Sequence, residues 1–290
     1  MSQASRITQE LSIGDVLSKT FELYKSQFVK YVILFAVVEA VIGALDTTTR
    51  YLIKVPVAPP IGSSPFAVLS TLGTTIELAA LSGIITLVFL PLSYGSVVKM
   101  ASQEIETGQV DFTPSVRYAL SRLVWIWVVG LVVGIIVFLG FIALIVPGII
   151  LAIMFSLVLP IIIIEKSDFK SMGRSRELAS HRWLKTFALF IVFAIIIGIA
   201  SAIVSFISAP FGFASSIVSS ILSALYLPLL PIMLTVYYYS NVARLSPTQP
   251  VPPPAAPPTD QTTMRYCPSC GSQLSPGVTF CPSCGTKLSL

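Results

Sequence analysis

Four cysteines carry the clearest chemistry in this chain. Cys267-Pro268-Ser269-Cys270-Gly271 is followed, with ten residues between Cys270 and Cys281, by Cys281-Pro282-Ser283-Cys284-Gly285. A Cys-x-x-Cys pair curls into a knuckle whose backbone N–H groups face the thiolates, and the glycine after it takes the positive φ that closes the turn. Two knuckles bring four sulfurs to the corners of a tetrahedron, the closed coordination of structural Zn²⁺. One structural zinc ion on Cys267, Cys270, Cys281 and Cys284 is therefore expected, with no open position for catalysis. So short a segment has too little core to fold alone, so metal binding and folding should be one event.

Upstream of this module the composition changes twice. From Pro247 to Pro258 there are seven prolines in twelve residues. Such a run is an extended, semi-rigid tether of about 3.1 Å per residue. Before it lies a strongly apolar body. The 290 residues are 54% hydrophobic and only 11% charged, and mean hydropathy is +0.87. Soluble domains carry about 25% charged residues, so an ordinary soluble enzyme is excluded, as is a disordered or fibrous chain. No cysteine falls in the first 266 residues, so no disulfide braces the apolar part.

Charge-free runs locate the helices that hold this body in a membrane. A bilayer core needs roughly 20 apolar residues of helix. There are 21 uncharged residues between Glu77 and Lys99, 42 between Arg122 and Glu165, and 58 between Lys185 and Arg244. The two longest suit two spans each, divided at Val146-Pro147-Gly148 and at Ala209-Pro210-Phe211-Gly212. With the stretch from Phe28 to Leu45, six spans are expected, about 28–45, 76–98, 123–146, 149–164, 186–208 and 214–240. The fourth is short and borrows a turn from its flanks. Residues 1–27 are too polar for a secretory signal.

Of the eighteen Lys and Arg residues, sixteen fall on one side of this threading. Arg50 and Lys54 alone fall on the other. By the positive-inside rule both termini are expected in the cytoplasm, which keeps the thiols reduced and disfavours disulfides. The same bias accounts for the net charge of +5 and the pI of about 9.0. Trp125, Trp127, Trp183 and Tyr237, Tyr238 and Tyr239 fall at expected cytoplasmic ends of spans and read as an interfacial aromatic belt.

Three polar segments precede spans one, three and five. Ile13 to Phe28 places Ile13, Val16, Leu17, Phe21, Tyr24 and Phe28 at helical steps. Thr113-Pro114 reads as an N-cap and first turn, followed by Val116, Leu120 and Leu123. Asp168 to Phe187 sets Phe169, Met172, Ala179 and Trp183 on one face amid basic residues. All three are expected to lie in the cytoplasmic headgroup layer. The pattern would make the chain three copies of surface helix, span, span; any protein with three such hairpins would show basic segments at the same places.

The stretch Val146-Pro147-Gly148-Ile149, with Pro160, Glu165, Arg174-Ser175 and Arg182-Trp183, resembles the core of an uncharacterised membrane-protein superfamily. Its named relative is the membrane domain of glycerophosphoryl diester phosphodiesterases. The opening Leu11-Ser12-Ile13-Gly14-Asp15, followed by Phe21-Glu22-Leu23-Tyr24, is similar to that family's start, so the likeness would cover about residues 8–245. It implies a membrane architecture. The phosphodiesterase activity resides in a separate soluble barrel domain that has no counterpart here. The tail resembles a zinc-ribbon domain. Its knuckles are also similar to the iron site of rubredoxin, although ten residues between them is shorter than that family's usual separation.

The expected fold is thus an all-α polytopic membrane protein: an amphipathic segment at 1–27, a six-helix domain at 28–245, a Pro-rich linker at 246–264 and a small β module, the ribbon, at 265–290. Glu39 is the ionisable residue well inside a span, and Glu77 opens the second. An intramembrane acid is a functional candidate, and the two would converge on a cation or proton site. The alternative is a neutral Glu39 hydrogen-bonded between helices, with Glu77 in the headgroups. Pro91, Pro160, Pro228 and Pro231 fall within spans, where broken helices mark transporter sites or are simply tolerated. His181 stands alone in a basic segment and reads as solvated. Neither a nucleophilic constellation nor a glycine-rich phosphate loop is seen. With Arg265 and Lys287 its only basic residues, the ribbon is expected to bind protein rather than nucleic acid. The leading expectation is a non-enzymatic membrane protein, from a prokaryote, anchoring a cytosolic zinc ribbon for a protein partner. The alternative is a transporter or transport accessory acting through Glu39 and the proline-broken helices.

Overall fold

A computed structural model describes residues 7–53, 65–180, 182–245, 265–274 and 278–287. The chain divides into two compact units, 1–246 and 247–290.

The first unit is helical. Its helices are α1 (Ile13–Ser26), α2 (Phe28–Ile53), α3 (Pro65–Thr107), α4 (Phe112–Ala143), α5 (Ile145–Met154), α6 (Val158–Ile164), α7 (Lys170–Ala179), α8 (Trp183–Ser208), α9 (Ser215–Ser223) and α10 (Leu229–Leu245). A 3₁₀ segment, Ala209–Ala214, links α8 to α9. Helix α1 starts at a capping box: Ser12 Oγ accepts from the Asp15 N–H, and the Asp15 carboxylate accepts from the Ser12 N–H. Its stripe of Val16, Thr20 and Leu23 is buried and packs mainly on α10. The Leu11 N–H donates to Ser240 Oγ (2.9 Å), and the Tyr24 hydroxyl donates to the Leu225 carbonyl. The face expected to rest in headgroups is thus occupied by protein.

Among the described residues, four stretches are long and apolar enough to cross a membrane: Phe28–Leu45, Phe112–Ala143, Ile145–Ile164 and Trp183–Gly212. They mark a membrane-spanning protein. The stretch 76–98 lies inside α3, which begins at Pro65, so part of the expected long outer loop is helix. The stretch 214–240 is not one helix: α9 ends at Ser223, a turn runs through Pro228, and α10 begins at Leu229.

The breaks have local causes. Leu144 is extended and separates α4 from α5, so Pro147 falls in the first turn of α5, where its missing N–H is harmless. Gly148 sits against Phe141 so closely that a Cβ would lie 2.4 Å from the ring, which explains a glycine at this reversal. The expected fourth span is interrupted between α5 and α6. Buried Ser175 of α7 closes that gap: its Oγ donates to the Met154 carbonyl (2.7 Å) and accepts from the Leu157 N–H (3.2 Å). Pro160 and Pro231 sit in the first turns of α6 and α10, and Pro91 lies within α3.

Three further expectations are corrected. Asp111 holds the extended N-cap position of helix α4, without a side-chain capping bond, and the helix runs unbroken from Phe112, so Thr113-Pro114 does not open a separate surface helix. Asp168 to Phe187 is not one helix; α7 ends at Ala179, and α8 starts at Trp183. Its inward face is Ser171, Ser175, Leu178 and Ala179, whereas Phe169 and Trp183 are about half exposed, at 51% and 53%. Ser175 faces inward because the neighbouring chain break offers it partners, whereas the Ser171 hydroxyl donates to the Asp168 carbonyl at the start of its own helix.

The tyrosine triplet is the largest revision. Tyr237 and Tyr238 are buried, and α10 is enclosed by protein along most of its length, up to Asn241. Successive residues on a helix point about 100° apart, so the three rings reach three different parts of the bundle. Tyr237 bonds to Thr186 of α8 (2.6 Å). Tyr238 donates to Glu165 beyond α6 (2.8 Å). Tyr239 reaches Glu106 and Ser102 of α3. The triplet is a hub that ties α10 to the bundle, not a belt in lipid.

Candidate functional site

In the second unit, β1 (Arg265–Tyr266) pairs antiparallel with β2 (Gln273–Leu274), with Arg265 opposite Leu274. The first knuckle hangs between them. The Gly271 N–H donates to the Cys267 carbonyl (2.8 Å) and the Cys267 N–H to the Ser272 carbonyl (2.9 Å). The second knuckle repeats this: Gly285 N–H to the Cys281 carbonyl and Cys281 N–H to the Thr286 carbonyl, both 2.9 Å. Gly271 and Gly285 have φ of 70° and 71°, the left-handed region where a Cβ is penalised.

The four Sγ atoms lie within 4.8 Å of one another. Cys267 to Cys284 and Cys270 to Cys281 are each 3.7 Å apart. Bonds of about 2.3 Å to a tetrahedral zinc place sulfurs about 3.8 Å apart, so the set has the size of one zinc shell. A disulfide needs about 2.05 Å, and all four thiols are free. Among the described residues these cysteines are the one cluster of three or more metal-ligating side chains. They fit one structural zinc ion.

Two hydroxyls support the thiolates. Ser272 Oγ lies 3.1 Å from Cys270 Sγ and 3.2 Å from Cys281 Sγ, so it spans both knuckles. Thr286 Oγ1 lies 3.2 Å from Cys284 Sγ. The Ser272 hydrogen bond is the chief reason the Cys281 thiol is lowered to about 6. The Thr286 hydroxyl likewise lowers Cys284. Neither hydroxyl is singled out by the cysteine spacing. A signal was present in the internal duplication, Tyr266-Cys-Pro-Ser-Cys-Gly-Ser272 against Phe280-Cys-Pro-Ser-Cys-Gly-Thr286, which puts a hydroxyl after each glycine.

Residues 266–288 match the family model of the zinc-ribbon domain. The tail is a zinc ribbon. No curated protein and no solved structure matches the chain, so the family match ends with the ribbon, and the resemblance over residues 8–245 draws no support from these comparisons.

Within the helical unit, Glu39 of α2 faces α9, with Ser223 Oγ 3.4 Å from its Oε2. The helices touch closely one turn further on: a Cβ on Gly43 would lie 2.9 Å from the Ser220 side chain. The side chain of Glu77 and the whole of His181 lie outside the described residues. Pro91 lines an apolar cavity of about 290 Å³ with Leu90, Tyr94, Ile126, Phe155 and Leu159, and Glu39 is not among its walls.

Proposed function

We propose that this is a non-enzymatic, multi-pass protein of the cell membrane whose helices anchor a cytosolic zinc ribbon that recruits or senses a protein partner. The carrying observation is the closed four-thiolate site. It holds a module in shape without offering a coordination position for chemistry. Exposed aromatic rings at Tyr266 and Phe280, each preceding a knuckle, suit a protein-binding surface. Six spans with both termini in the cytoplasm remain our reading of the threading, supported by the Lys and Arg distribution. The membrane part keeps its resemblance to the phosphodiesterase-associated domain as an architectural proposal.

The test is crosslinking in native membranes with the full chain, a chain lacking residues 246–290, and a Cys281→Ser chain. Both altered chains should insert normally and lose the same crosslinked partners. Identical partner sets in all three would overturn the reading.

A second reading, a transporter or transport accessory, is favoured by one observation: an acid inside an expected span faces a serine beside a helix break.

A further inference from the structure

We propose that the apolar cavity beside Pro91 holds an acyl chain of one anionic phospholipid, whose phosphate lies against Lys99 and Arg122. The cavity, about 290 Å³, is walled by α3, α4 and the junction of α5 with α6. Each wall departs from regular helix packing at this level. Helix α3 carries Pro91, the chain pauses at Phe155-Ser156 between α5 and α6, and α4 presents Gly130. Gly130 is not a glycine of close packing. A Cβ there would meet nothing within 4 Å, whereas a Cβ on Gly140 or Gly148 would collide at 2.6 or 2.4 Å. Its missing side chain keeps the cavity open.

The surroundings decide what fills it. Phe112–Ala143 and Ile145–Ile164 are both stretches fit to cross a membrane, so the medium beside this cavity is hydrocarbon. Water gains too few hydrogen bonds in an apolar space to stay there. An empty one forfeits the dispersion contacts of its lining. A lipid tail supplies those contacts, and the bilayer supplies the tail.

Charge at one end of the cavity selects the headgroup. Arg122, Ile126 and Gly130 stand at four-residue steps on α4, so Arg122 lies one turn, about 6 Å, beyond the lining residue Ile126. On α3, Lys99 follows the lining residue Tyr94 by five positions, about 7.5 Å. Both point to the same end. Lys99 Nζ lies 5.0 Å from the centre of the Tyr118 ring, one turn before Arg122, and the Tyr118 hydroxyl donates to the Ile163 carbonyl, next to the lining residue Ile162. Among the described residues Lys99 forms no ion pair. Arg122 binds the Ser167 carbonyl (3.1 Å) and the Asp168 carboxylate (3.0 Å) through Nη2 alone, which leaves its Nη1 without a partner among the described residues. Asp168 offsets one of the two positive charges. The remainder matches the single negative charge of an anionic phospholipid, and basic residues between helices at a membrane surface bind such headgroups.

The experiment titrates the full-length protein, stripped of lipid in mild detergent, with phosphatidylglycerol and with phosphatidylcholine of the same chains, read by native mass spectrometry. One phosphatidylglycerol should bind about fivefold more tightly than phosphatidylcholine, the scale of one basic residue beside an anionic lipid. Lys99→Gln should bring the two affinities together. Gly130→Leu puts a side chain into the cavity and should remove the binding of both lipids. Gly134→Leu is the matched control: it lies one turn further along α4, also faces open space and is not among the lining residues, so it should bind as the parent chain does. Equal affinity for the two lipids in the parent chain, a preference unchanged by Lys99→Gln, or the same affinity in the Gly130→Leu and Gly134→Leu chains would each overturn the proposal. The ribbon takes no part in this readout, so its failure leaves the recruitment reading untouched.

Discussion

Ser272 touches two sulfurs from different knuckles, whereas Thr286 touches one. Outer-shell groups of this kind hold ligands in position, and their loss weakens metal binding about 10–100-fold. Ser272→Ala in the full-length protein should weaken zinc binding within that range in chelator competition, Thr286→Ala less, and Ser272→Thr should restore much of the loss. An affinity unchanged by Ser272→Ala would remove the hydroxyl from the site. The four cysteines were legible in the sequence because knuckle chemistry is local: each pair is fixed by a three-residue spacing and a glycine. The hydroxyls were passed over because spacing alone does not say which neighbours face the sulfurs. Glu39 was legible as an acid inside an apolar run. Its serine partner, 184 residues away, was not.

At the scale of elements, Ser175 is the clearest case of a side chain completing a helix pair. Both of its partners belong to the ends of a break, and both would be orphaned by its removal. Leaving a buried polar group unsatisfied costs about 1–3 kcal/mol. Ser175→Ala should therefore destabilise the helical unit by at least that amount in reversible unfolding from mixed micelles. A change below about 0.5 kcal/mol, the range of ordinary surface substitutions, would mean that water or lipid satisfies the break instead. Charge-free runs foretold most of α4 and α8, and an apolar stretch broken only by Lys30 and Glu39 foretold the first part of α2, because exclusion of charge follows directly from hydrocarbon burial. They did not foretell the interruptions near Phe155 and Tyr226. An apolar run has the same composition whether or not the backbone pauses within it. Tyr237, Tyr238 and Tyr239 show the same limit: composition could not separate a belt in lipid from a hub in protein, because the deciding partners, Thr186, Glu165 and Glu106, lie far away in the sequence.

At the scale of the whole molecule, the two units use different physics. The helical unit is held by α10, which is buried along most of its length and bonded through its tyrosines to α3, to α8 and to Glu165 just beyond α6. The ribbon has two strands of two residues each around four thiols that fit one zinc ion. A Pro-rich stretch separates them in the sequence. A recruiting role requires that the ribbon be on the cytosolic side while the helices cross the membrane. That requirement is met or broken by the side on which the last residue emerges. A protease-cleavable tag after Leu290, tested in intact cells and after permeabilisation, reads it directly. Protection in intact cells and digestion after permeabilisation is the predicted result; digestion in intact cells would contradict the threading and the recruitment that depends on it.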